Sequence, residues 1–379
     1  MPPKTRVAVL FGGRSTEHDV SCKSAASVVQ SLDRDRYEVV PIRITVDGEW
    51  IVGTDQAAGT VDDAALRAMT PEPPGPRPAV VESLFRALEA LRDVDVVMPI
   101  LHGPYGEDGT VQSVLELAGI PYVGSGVLAS AASMDKEFTK KILAAEGIQV
   151  AAGVVLRSEQ DVVTRAEQSR LGLPAFVKPS RGGSSIGVSR VDDWAELPAA
   201  LEAAQLCDTK VLVEAGVPGR EIDVGVLELP DGRLVASPPL EIRMVGEGFF
   251  DFDAKYREGR TEFVVPADLD PDTTEWLGAE AIRVFRTLGC AGLLRVDFFV
   301  DPVHGLTVNE VNTMPGFTAA SQFPRMWQAA GTTYPELLDL MIATALAGAA
   351  KSGPDRSTRV ATAGYTALQG RGSSVGGKC

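Results

Sequence analysis

Apolar positions in the first third of the chain alternate between two rhythms. Short β-branched runs at residues 6–11, 37–44 and 94–101 have the length and composition of strands. Between and after them, residues 17–31 and 110–118 repeat apolar side chains at helical spacing. Strand and helix in turn predict a parallel α/β layer. The proline-rich stretch 71–78 breaks both rhythms and is expected to be a surface loop.

The rhythm then changes. Residues 136–146 read as a helix, and strands are expected at 176–178 and 186–191 on either side of a glycine- and serine-rich loop. A helix over 193–204 and a strand over 210–213 complete that block. A third block follows, with strands at 221–229, 293–300 and 305–309 and helices at 273–288 and 334–346. From Lys351 the chain turns Gly/Ser/Arg-rich and non-periodic, as a disordered tail does. The expected organisation is an N-terminal α/β domain (1–134), a central unit (135–220), a C-terminal unit (221–350) and the tail (351–379).

Composition narrows the function. At 379 residues, 45% hydrophobic and 23% charged, the chain can bury more than one core. Its net charge of −15 disfavours nucleic acid and anionic membrane as partners. The late apolar stretch 337–350 contains Asp339 and falls short of the roughly 20 residues a membrane span needs. Four scattered cysteines and three histidines, with no CxxC and no HExxH, point to reduced thiols in a cytoplasmic protein without a zinc site.

Two runs, LLRVDFFV and LTVNEVN, flank a turn over residues 301–305. Side chains alternate faces along a strand, so Arg295 and Asp297 share a face of the first strand, and Glu310 and Asn312 share a face of the second. Antiparallel pairing about the turn brings Asp297 to Glu310. Two carboxylates and an amide oxygen make an all-oxygen set suited to Mg²⁺. The plainer alternative, a solvated hairpin face, fits poorly with the apolar flanks.

The segment VKPSRGGSSIGV sets Lys178 at a strand end before Gly182, Gly183 and Gly187. Glycines let backbone N–H groups approach phosphate oxygens, and lysine and serines add charge and donors. An ordinary flexible hairpin loop is the alternative. It is not a Walker A loop, because the lysine precedes the glycines. The Walker-like ending at 372–379 has Cys where Ser or Thr belongs. Glu17 opens a helix after Gly12–Gly13, either to complement the helix dipole or to receive an ammonium group. GEGFFDFDAKY is either a docked surface loop or a mobile lid ending in Lys255 and Tyr256. His102 is either a substrate contact or a loop histidine. No GxGxxG is present, which opposes a NAD-dependent oxidoreductase.

In order along the chain, LFGGRSTEHDVS, LHGPYGEDGTVQ, SMDKEFTK, FVKPSRGGSSIGV, VLVEAGVPGREIDV, FFDFDAKY, LLRVDFF and NEVNTMPGFT resemble the D-alanine–D-alanine ligase family from Val7 to about Leu346. The resemblance implies a Rossmann-like N-terminal domain preceding a two-part ATP-grasp fold whose sheets sandwich ATP. It implies that Lys136 and Lys178 contact phosphates, with residues 180–187, including Ser180, Gly183, Ser184 and Ser185, closing over them. Glu214, Ala215 and Val217 would hold adenine through the hinge backbone, and Glu221 the ribose. Asp297, Glu310 and Asn312 would hold Mg²⁺, two ions in all, with Mn²⁺ as a substitute. Glu17 would anchor the ammonium of the first D-alanine, near His102, and link to Ser184 and Tyr256. Lys255 would reach the γ-phosphate, Arg295 and the Gly316 backbone would stabilise an oxyanion, and Lys23 and Ser321 would lie at the second substrate. The implied role is D-alanyl-D-alanine synthesis for peptidoglycan precursors by a cytoplasmic homodimer.

One position departs from the family pattern. An apolar residue usually follows the serine matching Ser321, and here it is Gln322. That keeps D-serine open as the second substrate. Lys255–Tyr256 argues for an amine rather than a hydroxyl nucleophile. A non-catalytic nucleotide binder is disfavoured by the intact set Lys136, Lys178, Arg295, Asp297, Glu310 and Asn312.

Overall fold

The structure is a computed structural model that describes residues 3–53, 77–244 and 261–352. Three sheets organise it. In the first, β1 (Thr5–Gly12) lies between β2 (Tyr37–Ile44) and β4 (Val96–Leu101), parallel to both, and β3 (Trp50–Val52) adds an antiparallel edge. Alternation along β1 explains its continuous apolar run. Val7, Val9 and Phe11 enter one core, while Ala8 and Leu10 enter another on the opposite face. Helices α1 (His18–Ser31), α2 (Arg77–Leu91), α3 (Thr110–Ala118) and α4 (Val127–Met134) belong to this part.

The second sheet runs β5 (Gly153–Leu156), β8 (Val211–Ala215), β6 (Ala175–Pro179), β7 (Ser189–Val191), all antiparallel. Helices α5 (Lys136–Ala145), α6 (Arg165–Leu171) and α7 (Leu197–Gln205) accompany it. In the third sheet, β9 (Arg220–Glu228) and β13 (Leu293–Asp301) are central, with β14 (Gly305–Asn312), β11 (Leu240–Met244) and β12 (Thr261–Val264) outward and β10 (Leu234–Ala236) beside β9. Helix α8 (Pro271–Leu288) is capped by Asp270 and closed by Gly289 at φ +67°. It covers the apolar face carrying Leu294, Val296 and Phe298. Helices α9 (Gln322–Ala329) and α10 (Tyr334–Ser352) pack Phe323, Trp327, Leu337 and Met341 into the core that also holds Val7, Val9 and Phe11. The first and third sheets therefore share one apolar core.

Several expected elements shift. The strand expected over 186–191 shortens to Ser189–Val191, because Ser184 (φ 52°), Ser185 (57°) and Gly187 (74°) adopt left-handed turn backbone. The helix expected from 193 starts as a 3-10 turn, Trp194–Glu196, before α7 begins with Pro198 in its first turn. The loop expected over 71–78 gives way at Arg77 to α2, and its remainder lies outside the described residues. Helix α10 runs to Ser352, past the expected start of the tail, whose residues 353–379 lie outside the described residues. Among the described residues no helix is long and apolar enough to cross a membrane.

Candidate active site

A cleft opens between the second and third sheets, lined by Phe176, Ala215 and Val217 on one wall and by Ile242, Phe299, Arg295 and Asp297 on the other. Glu221, Gly183 and Ser185 also line it.

The hairpin β13–β14 pairs as its spacing predicts. Asp297 is the cross-strand partner of Glu310, and Arg295 of Asn312. A bulge follows Asp297, where the register passes from Asp297↔Glu310 to Phe298↔Val308. The extra residue, Asn309, joins Glu310 in lining the cleft, and the Lys178 ammonium lies 3.4 Å from its Oδ1. The buried Arg295 donates through Nε and Nη2 to both Asp297 oxygens, at 2.7 Å each, and Nε lies 3.4 Å from Asp223. Asn312 Nδ2 donates to Asp297 Oδ2 at 3.2 Å. These acids hold the guanidinium charged despite its burial.

Opposite, helix α5 is tied to the glycine- and serine-rich loop over residues 180–187. Asp135 caps it, accepting from Glu137 N and Phe138 N, and also accepts from the Ser180 hydroxyl at 2.9 Å and from Lys210. Lys136 N donates to Ser180 O at 3.0 Å, and its ammonium donates to Gly182 O at 2.7 Å while lying 3.4 Å from Glu310. Ser180 is fully buried, so its hydroxyl fastens the loop's stem instead of facing the cleft. Arg181 anchors the same stem on Asp208 through its backbone N–H and guanidinium. Glu214 is buried as well, its Oε1 2.9 Å from Lys140 and its Oε2 2.5 Å from Lys178.

The loop tip reaches the start of α1. Ser184 donates to Glu17 Oε1, and a Cβ added at Gly183 would meet Glu17 Oε2 at 2.4 Å. Glu17 is the N-cap of α1 yet makes no side-chain cap hydrogen bond, so its carboxylate serves the loop. His102 is buried, with Nδ1 3.0 Å from Met314 O and Nε2 3.2 Å from Ser24 Oγ, and burial lowers its pKa. Ser24 in turn accepts from Phe317 N. Glu107 accepts from Gly103 N at 2.6 Å and Met314 N at 3.3 Å. Ser24 of α1 and His102 and Glu107 of the loop after β4 thus clamp both sides of Gly316. Ser321 accepts from Thr318 N at 3.1 Å within that loop. Lys23 is exposed on α1. Gln322 accepts from Arg295 Nη1 at 2.9 Å, so the polar residue that breaks the family pattern is a partner of the buried arginine. Lys255 and Tyr256 lie outside the described residues.

Sequence reasoning passed over Glu107, Lys140, Asp223 and Asn309. All four lie in quoted motifs. The spacing of Glu107 from His102 was an available signal, whereas the places of the other three become visible only once strands and helices are set beside one another.

Two sheets that close on a cleft, lysines on one wall and a carboxylate pair with a buried arginine on the other, define an ATP-grasp enzyme. Family models described as D-ala D-ala ligase N-terminus and C-terminus match residues 6–125 and 142–343. The chain is 54% identical over 360 residues to a D-alanine–D-alanine ligase of Mycobacterium sp. (strain KMS), covering 91% of this chain and 97% of that one. It is 54% identical to that of Nocardia farcinica, covering 92% and 98%. Among solved structures, a D-alanine–D-alanine ligase from Coxiella burnetii superposes with a TM-score of 0.76 at 30% identity, over 96% of this chain and 99% of that one. The VanG D-Ala:D-Ser ligase from Enterococcus faecalis gives 0.75 at 33%, over 90% and 100%. The ligase from Bacillus anthracis complexed with ATP gives 0.72 at 32%, over 92% and 100%. The chain belongs to the D-alanine–D-alanine ligase family, and its enzyme class is ATP-dependent, ADP-forming ligase.

Proposed function

We propose that the cleft binds ATP and that the chain joins two D-alanines into D-alanyl-D-alanine, a peptidoglycan precursor. The observation that carries this reading is the buried Arg295 beside the Asp297–Glu310 pair, facing Lys136 and Lys178 across the cleft. The curated relatives at 51–54% identity bear the D-alanine–D-alanine name, which favours D-alanine over D-serine as the second substrate.

A carboxylate is a poor electrophile. The first D-alanine, its ammonium on Glu17, therefore attacks the γ-phosphate through a carboxylate oxygen and gives an acyl phosphate and ADP. Lys136, Lys178 and Lys255 offset charge on the transferring group, a step governed by positioning and electrostatics. The loop from Ser180 to Gly187 closes over the phosphates, linked through Ser184 to Glu17, and excludes water that would hydrolyse the intermediate. The amine of the second D-alanine, near Ser321, then attacks the carbonyl. Arg295 and the Gly316 N–H stabilise the tetrahedral oxyanion, and phosphate departs.

Asp297, Glu310 and Asn312 form an oxygen donor set that fits Mg²⁺, and the ion would neutralise phosphate charge there. We place the enzyme in the cytoplasm as a homodimer, which light scattering after size exclusion checks. The functional test is phosphate release from ATP and magnesium with D-alanine alone, then with D-serine or D-lactate added, products being weighed by mass spectrometry. Turnover with D-alanine alone, yielding the dipeptide, is expected. Release only with a mixed pair would move the activity to another ligation.

A further inference from the structure

Helix α5 carries a second lysine one turn beyond Lys136. Lys140 and Lys178 grip the same carboxylate from two sides, Lys140 at Oε1 of Glu214 (2.9 Å) and Lys178 at Oε2 (2.5 Å). All three side chains are at most 10% exposed, so solvent screens them weakly. Lys178 and Glu214 line the cleft. Two lysines on one carboxylate leave a net charge of one positive unit. Without Lys140, Lys178 and Glu214 would form a neutral pair, and an incoming phosphate would have to compete with Glu214 for the Lys178 ammonium.

We infer that Lys140 is a positioning residue for the nucleotide: it neutralises Glu214 from behind and so leaves the charge of Lys178 available to a phosphate of ATP. The inference rests on ATP binding in this cleft and adds a residue that does not itself touch the ligand. The charged groups facing Lys140 are Glu214 from β8, Lys178 from β6 and Lys136 from its own helix, and β14 brings Glu310 to Lys136. Burial lowers the Lys140 pKa to about 8, with Glu214 opposing and Lys178 adding to the fall. Below that pH the cluster keeps its positive charge, and above it Lys140 loses its proton and the charge is lost.

The test is KM for ATP at saturating magnesium and D-alanine, from about pH 7 to about pH 9, in wild type, Lys140→Met and Lys140→Arg. In wild type KM for ATP should rise on the order of tenfold across that range. Lys140→Met should start with the raised value and stay flat. Lys140→Arg, permanently charged, should keep the low value throughout. At each pH, KM for D-alanine and kcat at saturating ATP in the variants should stay within about twofold of wild type, a split that a merely structural ion pair would not produce. A wild-type KM for ATP in Lys140→Met at pH 7, or an unchanged pH rise in Lys140→Arg, overturns the inference. Should Lys140→Met fail to fold, wild type and Lys140→Arg still decide it. Calorimetry separates the two levels: no binding of ATP with magnesium to wild type would sink the nucleotide site itself, whereas binding without pH dependence would sink only the role of Lys140.

Discussion

Gly183 offers a sharp steric test of the contact between the glycine-rich loop and Glu17 at the start of α1. A Cβ at this position would lie 2.4 Å from Glu17 Oε2, 3.1 Å from its Cδ and 3.3 Å from Oε1. Ordinary contact needs about 3.5 Å, so the methyl group intrudes by about 1 Å. Glu17 has little room to withdraw. Its Oε1 accepts from Ser184, a hydrogen bond that withdrawal would break. Either the loop lifts or the carboxylate leaves its place. Overpacking of this kind costs about 1–3 kcal/mol, which lowers the closed population roughly 5- to 150-fold. Gly182, one residue earlier, supplies the control, since a Cβ there meets only Pro179 Cβ at 3.6 Å. Steady-state kinetics should show kcat/KM for D-alanine reduced within that range in Gly183→Ala and at most a few-fold in Gly182→Ala. Their melting temperatures should match wild type. Equal kinetics for the two variants would refute the steric argument and, with it, closure of this loop onto Glu17.

Three further outcomes follow from the structure. Asp297→Asn weakens the bidentate partner of Arg295 and one proposed metal ligand, so turnover should fall roughly a hundredfold or more. Its circular dichroism should stay native, and normal turnover would remove Asp297 from the chemistry. Phe298→Ala empties a fully buried site under α8, and denaturant unfolding should register a loss of about 3–5 kcal/mol. The Glu107 carboxyl, pushed up from 4.5 to about 8 by burial and then by the charge of Glu17, holds its proton when folded and releases it when unfolded. Folding therefore takes up a proton between those values, and stability should fall as pH rises through that window, by at most about 1.4 kcal/mol per unit. Glu107→Gln lacks this ionisation, so its deficit in melting temperature relative to wild type should shrink from about pH 6 to about pH 8. A constant deficit would contradict the assignment.

The parts legible in the sequence were those in which one strand's alternation decides everything. Strands β1 and β2 and helix α3 lie where their apolar spacing placed them, and the Asp297–Glu310 pairing followed from counting outward from a turn. The bulge beyond Asp297 left no mark in the sequence, because a one-residue slip needs no special residue type. Asn309 therefore faced the cleft unannounced. Helix α2 was obscured by the prolines preceding it, although Ala87 and Leu91 are fully buried. Strands β5, β10, β11 and β12 are three to five residues long, too short to build a period. Glu214 read as a hinge residue, because its two lysines come from a helix and a strand far apart in sequence. Ser180 resembled its glycine-loop neighbours in composition and differs from them only in burial.

The central claim is that ATP activates a D-alanine carboxylate as an acyl phosphate in this cleft. The most direct measurement supplies D-alanine carrying a heavy-oxygen label in its carboxylate and weighs the phosphate released with the dipeptide. One carboxylate oxygen should leave with the phosphate, so each phosphate should carry a single label and the ADP none. Dipeptide formed with unlabelled phosphate would contradict the account.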